Sequence, residues 1–199
     1  MNYGFIYCLG NKAMPGIYKI GMTERAPAQR CAEISGVTAA PVPFDVLCFG
    51  QVEDPREIEA EIHGIFEPFR VNKSREFFEI DYSRVYDVIS SYSNAVATTA
   101  EGAEESHRET LRMAFLDSKE PLQKLEALID SARFEGIRFW REGDALKIRG
   151  ELTVSNWMSG AIHVLRDDLL SLVPTEAPVS KLLARVQPDY QALAEELDW

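Results

Sequence analysis

The sequence has 199 residues, of which 46% are hydrophobic and 27% charged, and this composition excludes an intrinsically disordered chain. No apolar run reaches the roughly 18 residues that a membrane-spanning helix needs, and the N-terminus lacks a signal peptide, so we expect a cytoplasmic protein without membrane contact. The formal net charge of −11 excludes a broadly basic surface, so a nucleic-acid site here must depend on a local patch.

The first region of the chain alternates short apolar runs with helical patterns. Residues 3–9 and 17–21 are rich in strand-forming side chains and are separated by turn formers, so they predict a β-hairpin. Pro27 suits the first turn of a helix that ends near Ser35. Residues 42–52 predict a third strand.

The alternation continues through a second helix, a short strand and a third helix. Residues 54–69 predict a helix that Pro55 opens, residues 75–80 a short strand, and residues 82–92 a closing helix. The buried stripe of the 54–69 helix is expected to hold three isoleucines: Ile58, Ile62 and Ile65. The order β-β-α-β-α-β-α indicates an α+β domain in which helices flank a small antiparallel sheet.

A composition shift predicts two domains. Small and polar residues from Ser90 to Ser106 read as a linker, which gives a first domain over residues 1–92, a linker over 93–107 and a second domain over 108–199.

The second domain is expected to contain helices and one hairpin. A helix is predicted near residues 109–133, with Pro121 as the position for a break, and a hairpin over residues 137–150 around Glu142-Gly143-Asp144. Thr153 is a candidate cap for a helix that ends at Val173, and a last helix is expected over residues 178–197. The expected second fold is therefore a helix-hairpin-helix-helix module.

Arg30 lies in the first turn of the predicted 27–35 helix. Free backbone N–H groups and the helix dipole favour an anion there, so the guanidinium is a candidate clamp for a phosphate. The alternative is an exposed arginine that forms an ion pair with Glu33.

Two side chains of the 54–69 helix are candidates for metal chemistry. Glu59 and His63 share one stripe beside the buried isoleucines, whereas Glu61 points about 200° away from Glu59 and faces water. A carboxylate placed like that of Glu59 can hold a divalent ion that polarises a phosphate. The alternative is a Glu59–His63 pair on a half-exposed helix face.

Several motifs in order resemble one nuclease family. The runs "GFIY", "KIG" and "REFF", with the helices between them, make residues 3–80 similar to the GIY-YIG nuclease superfamily, and in particular to its phage and bacterial branch. The resemblance implies a small sheet flanked by helices. It also implies hydrolysis of DNA phosphodiester bonds with one divalent ion, Mg²⁺ or Mn²⁺.

The resemblance also implies roles for individual residues. Tyr7 matches the family's base or nucleophile-positioning tyrosine, Arg30 its phosphate-binding arginine and Glu59 its metal ligand. Lys19 stands where a second tyrosine is expected, and an adjacent ammonium would lower the pKa of the Tyr7 phenol. A one-residue slip of the hairpin decides whether Lys19 or Tyr18 shares the face of Tyr7, so both are catalytic candidates. Four further residues match positions typical of the branch: His63, Arg70, Arg75 and Glu76. Of these, only His63 is taken as a catalytic candidate, and the other three are given no role.

Residues 125–174 resemble the N-terminal docking domains of polyketide and peptide synthetase subunits. That resemblance implies a protein partner or self-association through this segment, since an exposed strand edge can accept an added strand. The alternative is that Trp140 and Trp157 are ordinary core residues.

Two functions follow from these patterns. The first is a metal-dependent DNA endonuclease with a C-terminal interaction module. The alternative is a non-catalytic adaptor that retains the nuclease fold. The charge of −11, the presence of Lys19 and the docking-like C-terminal segment favour this interpretation.

Overall fold

The computed structural model describes residues 2–37, 42–150 and 154–175. The chain divides into two compact units, Met1–Asp117 and Ser118–Trp199. Within the described residues the first unit holds a five-stranded antiparallel sheet with helices, and the second holds helices and a hairpin. The predicted α+β class is confirmed.

The first unit follows the predicted order of elements and then extends it. In chain order its elements are β1 (Tyr3–Gly10), β2 (Ile17–Thr23), α1 (Pro27–Val37), β3 (Asp45–Glu53), α2 (Pro55–Ile65), a 3-10 turn (Glu67–Phe69), β4 (Phe77–Glu79), α3 (Tyr82–Tyr92), β5 (Val96–Thr98) and α4 (Ala100–Asp117). Strands β1 to β4 and helices α1 to α3 match the seven predicted elements, whereas β5 and the part of α4 before residue 109 were not expected.

The sheet has the strand order β4-β2-β1-β3-β5. In the β1–β2 hairpin Tyr7 lies opposite Gly21, and Leu9 lies opposite Lys19. Because side chains alternate between the faces of a strand, this register puts Lys19 on the face of Tyr7 and Tyr18 on the other face.

Each face of the sheet has its own core. The Tyr7 face packs against Cys31 and Ile34 of α1. The opposite face, which carries Tyr18, packs against Ile62 of α2 and Val85 of α3, among others. The sheet is therefore a middle layer with helices on both sides.

The expected linker over residues 93–107 is wrong. Strand β5 pairs with β3, and Thr99 opens α4 by accepting the Gly102 N–H with its Oγ1 at 3.0 Å. A Cβ atom added to Gly102 would lie 2.0 Å from the Leu47 carbonyl oxygen. Small residues are abundant here because α4 approaches the sheet closely, and the first unit consequently extends to Asp117.

The buried stripe of α2 also differs from the prediction. Ile65 is 42% exposed, whereas Phe66 is fully buried. The α-helix ends at Ile65 and continues into the 3-10 turn, so the chain leaves the 3.6-residue period on which the prediction rested.

The second unit contains the predicted hairpin. Its elements are α5 (Pro121–Phe134), β6 (Arg138–Glu142), β7 (Ala145–Arg149), α6 (Asn156–Val164) and α7 (Arg166–Leu172). Gly143 has a positive φ of 59° in the two-residue turn between β6 and β7, as a tight hairpin turn requires.

The helices of the second unit are shorter than expected. The predicted helix 109–133 is divided between α4 and α5, and the helix expected to end at Val173 is broken at Leu165. Thr153 and the helix expected over residues 178–197 lie outside the described residues. Among the helices that the structure describes, none is long and apolar enough to cross a membrane.

Candidate active site at the open edge of strand β2

Strand β2 is paired by β4 along only part of its outer edge. The β4 pairing covers Ile17 to Lys19, and beyond it two side chains of α2 meet the backbone of β2. Glu59 Oε1 accepts the Met22 N–H at 2.8 Å, and His63 Nε2 donates to the Ile20 carbonyl at 2.9 Å. Both candidates from α2 therefore lie at the open edge of β2, where they replace a strand partner.

Tyr7 reaches towards the same edge across Gly21. A Cβ atom added to Gly21 would lie 2.6 Å from the Tyr7 hydroxyl and 2.8 Å from its ring carbon Cζ. The glycine of the "KIG" run thus leaves the space in which the phenol crosses β2. Tyr7 is 2% exposed, so this space is a tight one.

Lys19 forms an ion pair with Glu76, the residue just before β4. The Lys19 side chain is 12% exposed, and its ammonium lies 5.7 Å from the centre of the Phe77 ring. Burial alone would raise the pKa of Glu76, but the hydrogen bond and charge of Lys19 outweigh burial and lower it. Sequence reasoning gave Glu76 no role, and its position beside the "FF" run that pairs with β2 was the available signal.

Arg30 interacts with both Tyr7 and Glu33. Its Nη1 lies 3.4 Å from Glu33 Oε2, and its side chain is 42% exposed, so part of the alternative interpretation of Arg30 is correct. The nearby Tyr7 phenol also raises the pKa of Arg30. The guanidinium is therefore partly exposed and close enough to the buried phenol to act on its pKa.

The pKa of Tyr7 is raised, contrary to the expected effect of Lys19. Burial is the largest cause, Arg30 opposes it, and the negative charges of Glu76 and Glu59 raise the pKa further. The ammonium of Lys19 is engaged by Glu76, so the cation that acts on the phenol is Arg30 instead.

Glu59 is a carboxylate in an unfavourable position for a negative charge. Burial raises its pKa first, and the charge of Glu76 raises it further, against the lowering effects of His63, the Met22 N–H and Lys19. Within the described part of the chain, the second oxygen of Glu59 accepts no hydrogen bond. A cation at this oxygen would relieve the repulsion between the two carboxylates.

The donor set fits a weakly held hard cation. Among the described residues no group of three histidine, cysteine, aspartate or glutamate side chains is placed to hold a metal ion. Mg²⁺ commonly binds through one or two carboxylates, with water and substrate phosphate as the other ligands, so Glu59 with a phosphate fits this ion.

Tyr18 does not join the other candidates. It is 4% exposed on the opposite face of the sheet, where its hydroxyl donates to Glu105 of α4 and its ring packs against Tyr82. Burial and the Glu105 charge raise the pKa of Tyr18 strongly. Its inclusion as a catalytic candidate is therefore corrected, because the hairpin register selects Lys19.

Arg70 and Arg75 flank the site in different ways. The Arg70 guanidinium stacks 4.7 Å from the centre of the Phe78 ring and donates to Glu67 and to the Arg75 carbonyl, which is a structural role. Arg75 is exposed on the loop before β4.

The structure thus brings six side chains close enough to influence one another electrostatically: Tyr7, Lys19, Arg30, Glu59, His63 and Glu76. We call this group the β2-edge cluster. It combines a phenol, two cations, two carboxylates and an imidazole, which are the groups that phosphoryl transfer uses to position a nucleophile and neutralise charge.

Comparison with known proteins finds one similar domain family. Neither the curated proteins nor the solved structures gave a match. Residues 4–93 match the T5orf172 domain, a phage-associated domain with a nuclease-like fold, and this range spans β1 to α3 with every member of the cluster. The similarity to the T5orf172 domain therefore covers all six residues of the cluster.

Proposed function

We propose that the region similar to the T5orf172 domain, residues 4–93, is an endonuclease of the GIY-YIG type, which hydrolyses DNA phosphodiester bonds with one divalent ion, Mg²⁺ or Mn²⁺. The observation that supports the proposal is the convergence of the β2-edge cluster. Its members come from β1, β2, α1, α2 and the residue just before β4, yet they lie at one strand edge.

The cations of the cluster suit the binding of a phosphate. Arg30 is partly exposed and has a planar guanidinium, so it can form two hydrogen bonds to phosphoryl oxygens. Lys19 is less exposed, and Glu76 fixes its ammonium. We propose that Arg30 binds the scissile phosphate. Lys19 neutralises the negative charge of Glu76 beside that phosphate.

Tyr7 is assigned to the attacking water. Since its pKa is raised, the phenol is protonated at neutral pH in the free protein, and it can orient a water molecule by hydrogen bonding. Proton acceptance by Tyr7 requires the phenolate, which Arg30 favours and the carboxylates oppose.

Glu59 is assigned to the divalent ion, through the oxygen that Met22 leaves unused. When bound, such an ion polarises a phosphoryl oxygen and neutralises developing charge. His63 remains a candidate that orients Glu59 or the backbone of β2, since its ring already bonds to Ile20.

Cleavage by the purified full chain tests the proposal. Supercoiled plasmid and branched DNA are incubated with Mg²⁺, with Mn²⁺, and with EDTA as the control. Nicking or linearisation that requires the metal supports the proposal, and its absence on every substrate would contradict it.

The second candidate function is a non-catalytic adaptor, and the observation that favours it is the buried, protonated phenol of Tyr7. On this account the cluster stabilises the sheet edge and cuts nothing. A stable complex with a protein partner, together with no cleavage in the plasmid assay, supports the adaptor, whereas metal-dependent cleavage rejects it.

A protein partner or self-association through residues 125–174 remains a proposal for the second unit. Ile148 on β7 is 42% exposed, so the hairpin presents apolar surface that a partner strand or helix can cover. Light scattering with size-exclusion chromatography measures the mass of the full chain. A monomer at all concentrations would contradict self-association.

A further inference from the structure

An open cleft adjoins the β2-edge cluster. It has a volume of about 250 Å³, and its walls are formed by six residues: Lys19, Ile34, Ser74, Arg75, Glu76 and Phe77. Lys19 and Glu76 belong to both the cleft and the cluster, so the two sites are continuous.

Arg75 is the exposed cation of this cleft. None of the residues that the structure describes forms a hydrogen bond or ion pair with its guanidinium. Its backbone, in contrast, is fixed, because its N–H donates to the Asn72 carbonyl at 2.9 Å and its carbonyl accepts Arg70 Nη1 at 2.8 Å. The loop therefore holds Arg75 in place without using its side chain.

The other walls define what the cleft can accept. Ile34 and Phe77 supply apolar surface, and Lys19 supplies a second cation whose charge Glu76 balances. The cleft is smaller than the roughly 300–1,000 Å³ of typical small-molecule pockets, so it suits part of a nucleotide better than a complete ligand. A sugar against the apolar wall and a phosphate at Arg75 would match this arrangement.

We propose that the cleft binds the sugar-phosphate that neighbours the scissile position, and that Arg75 contacts its phosphate. This inference rests on the proposed function, since it takes the strand in the cluster to be DNA. Arg75 is thus a positioning residue, which sets the path of the strand past the cluster.

The salt dependence of DNA binding tests the proposal. The full chain and three variants bind a fluorescent DNA duplex in EDTA, and the anisotropy is measured over a series of NaCl concentrations. Each phosphate contact to duplex DNA contributes about 0.9 to the slope of log affinity against log salt. Arg75→Ala should lower the slope by about one and weaken binding roughly tenfold, since the lost bond is charge-assisted.

Two further variants isolate the guanidinium. Arg75→Lys should keep the slope and lose part of the affinity, because an ammonium retains the charge without the planar fork. Lys73→Ala, an exposed cation of the same loop that does not line the cleft, should leave the slope unchanged. The proposal is overturned if Arg75→Ala leaves the slope unchanged, or if Lys73→Ala lowers it equally.

Cleavage kinetics separate this inference from the proposed function. Arg75→Ala should raise KM with little change in kcat, because a contact to a phosphate that does not react stabilises the ground and transition states alike. Metal-dependent cleavage that Arg75→Ala does not affect overturns the inference alone. Arg75-dependent binding without cleavage by any variant overturns the nuclease proposal alone.

Discussion

Gly21 decides where the phenol of Tyr7 can lie. In an antiparallel pair the residue opposite a tyrosine normally projects a side chain beside the ring, but here the ring covers the glycine directly. The hydroxyl thereby lies over Gly21, close enough to Arg30 and the two carboxylates for their charges to act on its pKa. In the sequence Gly21 was only part of a family motif, whereas the structure shows that its missing side chain leaves room for the Tyr7 ring.

Replacement of Gly21 tests whether the Tyr7 ring needs this space. Gly21→Ala should displace Tyr7, lower the free energy of unfolding by about 1–3 kcal/mol through overpacking, and abolish cleavage. The control is Gly64→Ala, since a Cβ atom at Gly64 of α2 meets nothing within 4 Å. The control should stabilise the fold by about 0.5–1 kcal/mol, and equal destabilisation by both substitutions would contradict the account.

Glu59 should show opposite effects on stability and function. Its pKa is raised in the folded protein, so folding favours the protonated form. This stabilisation is complete below the unfolded-state pKa and is lost as pH rises through the folded-state pKa. At pH 7 the ionised carboxylate therefore weakens the fold, and Glu59→Gln should raise Tm while keeping the acceptor for Met22.

Thermal unfolding across pH measures this effect. The Tm difference between Glu59→Gln and the wild type should disappear below about pH 4, where glutamate is also neutral. Glu61→Gln, on the exposed side of α2, serves as the control and should leave Tm nearly unchanged. A Tm for Glu59→Gln below that of the wild type at pH 7 would show that the ionised carboxylate is structural.

Helix α4 packs against the sheet and belongs to the same folding unit. Glu105 of α4 accepts the Tyr18 hydroxyl, Glu109 accepts the Ser83 N–H, and the Gly102 backbone lies against Leu47. The T5orf172 match ends at residue 93, before this helix begins. The folding unit is accordingly longer than the matched family region.

Two fragments test the contribution of α4. Residues 1–117 should unfold cooperatively, whereas residues 1–92 should lose about 3 kcal/mol or more of stability, since Leu47 and Tyr18 lose their cover. Urea denaturation followed by circular dichroism compares the fragments. Equal midpoints would mean that α4 adds nothing to the fold.

Strong local signals allowed most elements to be predicted. Pro27 and Pro55 open helices where expected, and Gly143 marks the turn of the β6–β7 hairpin. The linker error arose because small residues suit both a flexible segment and a closely packed helix. Gly102 belongs to a closely packed helix, and only its tertiary contact with Leu47 reveals this packing.

The candidate site was predictable in part. The approach of Tyr7, Arg30 and Glu59 to one edge agrees with expectations drawn from the motifs. Whether Lys19 or Tyr18 shares the face of Tyr7 depends on the register of the hairpin. A one-residue slip exchanges the two faces, so the sequence alone could not decide between these residues. The ion pair of Lys19 with Glu76 joins residues 57 positions apart, and no local pattern indicates such a pairing.

The whole molecule is unfavourable for nonspecific DNA binding. The first unit carries 11 basic and 18 acidic side chains, and the second carries 10 and 14, so both units are negative. Binding must therefore rely on short-range contacts to the few cations of the β2-edge cluster, and its salt dependence should reflect the small number of phosphates that they contact.

Removal of the second unit, which is also negatively charged, should consequently strengthen DNA binding by the first unit. Residues 1–117 should bind and cleave DNA at least as well as the full chain, with the largest gain at low salt, where charge repulsion is least screened. Cleavage rates at a series of NaCl concentrations test this expectation. A fragment that is folded but inactive would instead assign the second unit a required role.

Single-turnover cleavage by four variants in Mg²⁺ decides whether the β2-edge cluster hydrolyses DNA with a divalent ion, as we propose. Tyr7→Phe, Arg30→Ala and Glu59→Gln should each lower the rate by about 100-fold or more, as the loss of a transition-state contact does, while Glu61→Gln should retain the wild-type rate. Metal-dependent cleavage that survives all three cluster substitutions would contradict the claim.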